Sequence, residues 1–241
     1  VADRVVSRVR TPLAEKSARR LSASPKRASV VLWPREPTHV HVQHPVGVAL
    51  PETGIDCAFV ACQPAILGRL GALQTRATYT RRAWRVRLEQ ARSEGRRAAR
   101  SLSTDPGVSL PSFLGARGAG EAVRVLRKRI VPLLPLVHEA IASAEALIES
   151  MSPKALVVGN DLTFEGRSAC LKARLGGLPT ASVMHGTVAG DARDAYHLAD
   201  LLLVYGDNTR RKLLSRAIEP SRIAVCGAPQ FDQIPQQTGK P

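Results

Sequence analysis

The chain contains few cysteines, and their arrangement argues against two classes of small protein. Only 4 of its 241 residues are cysteine. No two of them have Cys-x-x-Cys spacing and none belongs to a Cys/His cluster with zinc-ligand spacing, so neither a disulfide framework nor a zinc module is indicated. We expect reduced thiols in a cytosolic protein, with Cys226 buried in a strand.

Several motifs of common enzyme classes are also missing. No Gly-x-Gly-x-x-Gly and no P-loop lysine motif is present, which argues against dinucleotide and P-loop sites. A Gly-x-Ser-x-Gly nucleophile turn is missing as well. No run approaches the ~18 apolar residues that a membrane-spanning helix needs. The first residues, Val1 to Arg4, open no apolar signal-peptide region.

What is present is a globular composition with a very uneven charge. Hydrophobic residues make up 44% of the chain, as in folded proteins of one large or two small domains. The net charge is +15, and residues 1–129 carry all of the excess, with 24 Lys and Arg against 9 Asp and Glu. Residues 130–241 hold 11 of each sign. A general bias towards Arg would raise the positive charge of both halves of the chain. We therefore predict that the first half binds an anionic partner: a membrane surface, a phosphorylated lipid carrier or nucleic acid.

The basic half contains an arm and a helix. Residues 1–28 are polar and basic with little periodicity and predict an extended arm. Residues 76–100 predict a strongly basic helix with a narrow apolar stripe of Trp84, Leu88 and Ala91. It is a solvated surface helix, a helix that meets anionic lipid, or a nucleic-acid site. The third is least favoured, because no RNP, zinc-finger or helix-turn-helix signature accompanies the charge.

The rest of the first half alternates strand with helix less regularly. Residues 29–33 and 56–61 predict strands. Residues 40–42 and 46–50 predict short strands or loop, because prolines bound them.

The middle of the chain predicts a loop followed by two helices. Residues 101–120 are rich in Ser, Gly and Pro and predict the loop. Residues 121–130 predict a basic helix that Pro132 and Pro135 interrupt. The second helix begins near Pro135, where proline is tolerated. Its predicted buried stripe has helical spacing: Leu136, Val137, Ala140, Ile141, Ala144, Leu147 and Ile148.

Residues 154–232 repeat a regular pattern of strand and helix. Four short apolar runs each end at a glycine or a glycine-containing turn, and helical segments separate them. This pattern is typical of an α/β, Rossmann-like fold, in which a parallel sheet lies between layers of helices. Ligands of such sheets sit outside the carboxyl ends of the strands. We therefore predict a substrate site formed by residues near these ends: Asp161, Glu165, Arg167, Gly186, Thr187, Tyr196, Gly206 and Gly227.

Two of these side chains have competing interpretations. Asp161 either caps the following helix or contacts the substrate. Arg167, near a helix N-terminus, either binds a phosphate oxygen or forms a surface ion pair with Glu165 or Asp161.

His185 is the strongest catalytic candidate. It follows the run at residues 180–184 directly, and Gly186 after it allows a tight turn and a close substrate approach. An imidazole is a natural general base near neutral pH. By position alone, a loop histidine that hydrogen-bonds the turn is an equal alternative.

The last third of the chain resembles the N-terminal domain of GT-B glycosyltransferases. It is most similar to bacterial surface-polysaccharide transferases and CDP-glycerol glycerophosphotransferases, with UDP-N-acetylglucosamine 2-epimerases as relatives. Four blocks agree in order and spacing: Asp161 with Gly166-Arg167, His185-Gly186, Ala199-Asp200 with Tyr205-Gly206, and Val225-Cys226-Gly227 with Pro229 and Asp232.

The resemblance implies a metal-independent enzyme without a resident cofactor, assembled from two Rossmann-like domains. Residues 29–232 are expected to form the N-terminal domain, and residues 233–241 to begin a linker to a C-terminal domain that binds most of the donor. The donor is then a nucleotide-activated sugar or CDP-glycerol, and the acceptor a glycan or a lipid-linked molecule. His185 is implied to act in the interdomain cleft.

Three functions follow from the sequence as hypotheses. The first is the acceptor-binding half of a transferase of bacterial envelope or capsule synthesis, in the cytoplasm and held at the anionic inner face of the membrane. The alternative is a sugar-nucleotide epimerase of the UDP-GlcNAc 2-epimerase type. The last is a non-enzymatic, Arg-rich module that binds anions or nucleic acid.

Overall fold

A computed structural model describes residues 28–73, 75, 77–79, 81–104, 115–184 and 196–231. The predicted N-terminal arm, apart from Ala28, and the predicted linker at residues 233–241 lie outside these ranges. So do His185, Gly186 and Thr187.

The described residues form a seven-stranded sheet in which every neighbouring pair of strands is parallel. The order is β3-β2-β1-β4-β5-β6-β7, so the chain starts in the middle, builds to one edge, then returns and builds to the other. The strands are short and rich in branched apolar residues, as suits a sheet covered on both faces: β1 Val30–Trp33, β2 Cys57–Ala61, β3 Ala77–Tyr79, β4 Ala155–Val158, β5 Thr180–Val183, β6 Leu201–Val204 and β7 Ile223–Val225.

Seven α-helices accompany the strands in the described ranges: α1 Pro37–Glu52, α2 Pro64–Ala72, α3 Arg81–Thr104, α4 Gly115–Val125, α5 Leu134–Met151, α6 Phe164–Leu175 and α7 Asp207–Leu214. A π-helical stretch, Leu126–Ile130, and a short 3-10 turn, Val131–Leu133, join α4 to α5.

Helices cover both faces of the sheet, and the side chains of β1 show how. Leu32 packs into one core with residues of α1 and α2, such as Val40 and Ile66. Val31 and Trp33 point to the other face, because successive strand residues alternate. There they meet a second core built by α3, α5, α6 and α7. The predicted three-layer Rossmann-like fold is thus confirmed.

Glutamates of α5 fasten the helices of the second face to one another. Glu145 accepts from Arg87 of α3 at 3.0 Å and from Lys172 of α6 at 2.7 Å. The hydrogen bond from Lys172, helped by Arg87, lowers the pKa of Glu145 against the opposing effect of its partial burial. Arg87 also pairs with Glu149, and Arg92 pairs with Glu139. Part of the positive charge of α3 is therefore neutralised inside the domain.

The basic helix has the predicted stripe but different ends. Trp84 and Ala91 are buried, and Leu88 packs against the same core. The helix begins at Arg81, after the short strand β3, which the sequence analysis had merged into it. Gly95 extends the stripe, because its Cα lies so close to the start of α5 that a Cβ there would be 2.6 Å from the Cα of Pro135.

Residues 37–52 are helical, so the prediction of short strands or loop at 40–42 and 46–50 is wrong. Pro37 lies in the first turn of α1, where a missing N–H costs nothing. Pro45 and Pro51 lie inside the helix, and they were misread as strand boundaries. The prediction of a loop over residues 101–120 is also wrong at both ends, since α3 continues to Thr104 and α4 begins at Gly115.

The buried face of α5 includes Ala140, Ala144 and Leu147 of the predicted stripe but is otherwise rotated from it. Leu136 and Ile141 are exposed. The buried face is dominated by small residues, which allow close approach to the helices on either side: Ala140, Ala142, Ser143, Ala144, Ala146, Leu147 and Met151.

The helical stretch Gly120–Met151 is long and apolar enough to cross a membrane, which corrects our expectation from the sequence. Its most apolar window has a mean hydropathy of 1.4. A core helix of a folded domain passes the same test, and 39% of this window is buried in the structure. Its α5 part packs between α3 and α6 and carries the glutamates described above.

Candidate functional site

The strand order places the switch point of the sheet at the carboxyl ends of β1 and β4, where a ligand crevice is expected. After β1 the chain continues towards one edge of the sheet, and after β4 it continues towards the other. Ligands of open α/β sheets bind where the strand order reverses in this way. The loop after β1 brings Arg35 and the start of α1 to this place. The loop after β4 brings Gly159 and, at the first turn of α6, Glu165.

Arg35 is the principal cation of the crevice. Its guanidinium donates to Glu165 at 3.0 Å and lies 5.1 Å from the centre of the Trp33 ring. Only 16% of its side chain is exposed. Its Nε is buried and has no hydrogen-bond partner among the described residues. A buried guanidinium N–H without a partner is costly. The partly exposed guanidinium itself is suited to an anion that enters the crevice.

Two buried polar side chains of α1, His39 and Gln43, hydrogen-bond to the backbone of Arg35 and of β4. The backbone N–H of Arg35 donates to Nδ1 of His39 at 3.2 Å. The amide of Gln43 donates to the carbonyl of Val157 in β4 at 3.3 Å, which ties α1 to the sheet. Gly159 lies directly on the His39 ring, since a Cβ at residue 159 would be 2.2 Å from it.

Asp161 forms a buried hydrogen-bonded pair with His197. It is fully buried, and its Oδ1 lies 2.7 Å from Nδ1 of His197. Its Oδ2 accepts from the backbone N–H groups of Leu198 and Ala199 at 2.6 and 2.9 Å. Burial alone would raise the pKa of Asp161, but His197 and the two N–H donors outweigh it and lower that pKa. The helix cap considered for Asp161 is Thr163 instead, whose hydroxyl accepts from the Gly166 N–H.

Three arginines hold the segment that contains His197. We call residues 196–200 the crossover segment, because they lead the chain to the start of β6. Arg167 donates to the carbonyl of Tyr196 at 2.9 Å and Arg174 to that of Leu198 at 2.7 Å. Arg222 donates to the carbonyls of His197 and Ala199. Asp161 accepts from N–H groups of the crossover segment, and the arginines donate to its carbonyls. The segment is therefore hydrogen-bonded through both its donors and its acceptors.

The predicted site residues therefore separate into different places. Glu165 lies in the crevice, paired with Arg35. Asp161 and Arg167 bind the crossover segment, so Arg167 makes neither of the ion pairs considered for it. Tyr196 is exposed, with its carbonyl on Arg167. Their roles in substrate binding stay predictions.

The remaining predicted residues lie at the ends of β6 and β7. Gly206 is the N-cap of α7 in extended backbone that any residue adopts. Gly227 has a φ of +77°, in the region that favours glycine. Next to these glycines in sequence, Gln230 donates to the Tyr205 hydroxyl at 3.0 Å. Burial, the largest influence, raises the pKa of Tyr205.

Sequence reasoning missed Arg35, His39 and Gln43. The helix that carries two of them was taken for strands or loop. The sequence does contain a signal for Arg35, because Pro34-Arg35-Glu36-Pro37 follows the first strand directly. Ligands of parallel sheets bind outside the carboxyl ends of the strands, and this applies to the first strand as it does to the later ones. Among the described residues, no three His, Cys, Asp or Glu side chains are grouped so that they could hold a metal ion.

The four cysteines differ in accessibility. Cys226 is exposed just after β7, so the prediction that it is buried in a strand is wrong. Cys170 is buried, and burial, reinforced by the charge of Asp161, raises its pKa to about 12.

We expect iodoacetamide at about pH 8 to modify Cys226 first and Cys170 last, because the thiolate is the reactive form. Mass spectrometry of the native protein over time measures this order. In urea the two rates should converge. Equal rates in the native protein would contradict the burial of Cys170.

No family profile and no curated protein sequence matches the chain. Solved structures match its fold. A UDP-GlcNAc 2-epimerase from Neisseria meningitidis bound to UDP-GlcNAc aligns with 86% of this chain and 48% of its own, at a TM-score of 0.52 and 15% identity. A structure of S. aureus MnaA with UDP aligns with 85% of this chain and 44% of its own, at a TM-score of 0.50 and 15% identity. The chain therefore spans about half the length of these proteins and shares their fold over that half.

Proposed function

We propose that the chain is the N-terminal, Rossmann-like half of an enzyme that acts on a nucleotide sugar, and that its reaction is of the sugar-nucleotide epimerase type. The observation that carries the proposal is the match of 86% of this chain to about half of a protein solved with UDP-GlcNAc bound. The crevice supports it, because it offers a buried cation where open α/β sheets bind their ligands.

In this proposal Arg35 binds the diphosphate of the sugar nucleotide. A planar guanidinium suits phosphate oxygens. Glu165 keeps the guanidinium in place through the bond at 3.0 Å and lowers the cost of its burial while no ligand is bound. His185, after β5 in sequence, is the proposed general base, and the second half of the enzyme supplies the rest of the nucleotide site.

The second candidate is a transferase that moves an activated sugar or glycerol phosphate to an acceptor. The observation that favours it is the basic charge of residues 1–129, for which a soluble epimerase has no use. The two candidates differ in one requirement. An epimerase converts UDP-GlcNAc with no second substrate, whereas a transferase consumes its donor only when an acceptor is present.

The test is binding and turnover of UDP-GlcNAc by the protein, expressed with any sequence that adjoins this chain in its natural reading frame. We expect Arg35→Met to weaken UDP binding by about 10-fold to 100-fold, because a hydrogen bond to a charged group contributes about 1.5–3 kcal/mol. Calorimetry measures the binding, and proton NMR of UDP-GlcNAc without acceptor measures epimerisation.

Arg100→Met is the matched control, since it removes an exposed arginine of α3 that is not among the crevice residues. Equal affinities of Arg35→Met and the unchanged protein would remove Arg35 from the site. An absence of UDP binding in all three proteins would contradict the nucleotide-sugar proposal itself.

A further inference from the structure

Among the described residues, a cluster of positive charge with few internal ion pairs lies at one end of the α3/α5 pair. The two helices run antiparallel, since Arg87 pairs with Glu149 near the far end and Gly95 lies against Leu134 and Pro135. Residues 96–104 of α3 and residues 120–130 before α5 both leave the pair at this end. We call these two stretches the basic tip. They contain seven Lys or Arg residues and one acidic residue, Glu121.

Most cations of the basic tip have no carboxylate beside them. Arg97 lies 4.0 Å from Glu94, and Arg124 pairs with Glu121. The side chains of Arg96, Arg100, Lys128 and Arg129 are exposed and form no ion pair with the described residues. Arg87 and Arg92, in contrast, are paired with α5. The cations available to a partner are thus those of the tip and not those of the whole helix.

Exposed aliphatic side chains lie among these cations. Val125 is 42% exposed and Ile130 is 50% exposed. No residue of Leu126–Ile130 is buried, although this stretch continues directly into a core helix. A groove of about 510 Å³ lies along Arg124, Val125, Lys128 and Arg129, large enough for a lipid head group.

We propose that the basic tip docks on the surface of an anionic phospholipid membrane. Its cations contact the phosphates of the head groups, while Val125 and Ile130 enter the boundary with the acyl chains. The aliphatic side chains favour this partner over nucleic acid, which offers them no apolar surface. The described residues of the tip also contain no aromatic ring on which a base could stack. The proposal is independent of the nucleotide-sugar reaction.

The test is sedimentation with vesicles of phosphatidylcholine alone or mixed equally with phosphatidylglycerol, at low and at physiological salt. We expect binding to the anionic vesicles only, weakening as salt shortens the range of the charge interaction. The triple variant Arg124→Gln, Lys128→Gln, Arg129→Gln should bind about 100-fold more weakly, at about tenfold or less for each cation removed. The double variant Val125→Ser, Ile130→Ser should bind more weakly at physiological salt.

The control triple variant removes the same charge elsewhere: Lys154→Gln, Arg210→Gln, Arg211→Gln. It should bind anionic vesicles within about threefold of the unchanged protein, because these cations lie outside the tip. Circular dichroism establishes that each variant is folded. Equal losses in both triple variants would show attraction by net charge alone and overturn the assignment to the tip. Failure to bind either vesicle, equal binding to both, or tighter binding to a DNA duplex at the same salt would overturn the membrane proposal.

Discussion

Replacing Gly166 with alanine is expected to destabilise the domain by about 3 kcal/mol or more. A Cβ at this position would lie 1.8 Å from the carbonyl oxygen of Asn160 and 2.9 Å from the Cα of Asp161. Both are backbone atoms, so no side-chain rotation can relieve the overlap, and overpacking of this kind commonly costs 1–3 kcal/mol or more. Urea unfolding, read from the midpoint at constant m, measures the loss.

Gly68→Ala is the control for this substitution. Gly68 lies in the interior of α2, and a Cβ there meets nothing within 4 Å. Because alanine costs less conformational entropy in a helix, Gly68→Ala should stabilise the protein by about 0.5–1 kcal/mol. Opposite signs for the two variants are the expected result. Similar midpoints for Gly166→Ala and the unchanged protein would mean that α6 does not begin against the β4 loop as described.

The second large effect is expected at the buried carboxylate of Asp161. Asp161→Asn should destabilise the domain by about 3 kcal/mol or more at neutral pH, because each hydrogen bond to a charged group contributes about 1.5–3 kcal/mol. Asparagine has one acceptor oxygen where Asp161 uses two, one towards His197 and one towards the crossover segment. Asp56→Asn removes an exposed carboxylate of the same type and should change stability by less than about 0.5 kcal/mol.

The pH dependence of this loss has a definite sign. The folded protein lowers the pKa of Asp161, because His197 and the backbone N–H donors outweigh the effect of burial. A carboxylate with a lowered folded pKa contributes stability above its unfolded pKa of about 3.9, and that contribution is lost as the pH falls through the folded value. The difference in unfolding free energy between the unchanged protein and Asp161→Asn should therefore be full at pH 7 and shrink below about pH 4. A difference that stays constant across this range would contradict an ionised Asp161 carboxylate in the folded protein.

The strands of the second half could be predicted because each has a local signal. An apolar run that ends at a turn residue, such as Gly159 or Gly206, needs no knowledge of the rest of the chain. The first helix could not be recognised in the same way, since Pro45 and Pro51 contradict the helical spacing of its buried residues. Packing overrides the local penalty here, because α1 lies so close to the sheet that a Cβ on Gly47 would meet the Phe59 ring at 2.4 Å.

The buried face of α5 could not be predicted from hydrophobicity for a related reason. The helical spacing of apolar residues predicted burial of large side chains such as Leu136 and Ile141, which lie on the exposed side of the helix. The helix instead buries alanines, since it is pressed between α3 and α6 and large side chains would hold it away.

Only some residues of the candidate site could be predicted from the sequence, because its contacts join distant parts of the chain. Glu165 was predicted, but its partner Arg35 lies 130 residues earlier, where a different secondary structure was expected. Asp161 was singled out as a cap or a ligand, but its partner His197 lies 36 residues later, and nothing local to either residue encodes the path between them. Position after a strand predicts which edge a residue occupies, whereas its bonding partner depends on the crossing of the chain.

The helical run Gly120–Met151 gives the domain a mechanical property. Its α5 part is a strut of 18 residues, about 27 Å long at 1.5 Å per residue, which ends against β4 and is joined at its other end to the basic tip by the 3-10 turn Val131–Leu133. Because α5 is fastened on both sides by ion pairs, the strut cannot swing independently of the sheet. A surface that holds the tip therefore fixes the direction in which the crevice opens. The position of the tip relative to the sheet depends on the length of this helix, and one added turn would move the tip about 5.4 Å further along the helix axis.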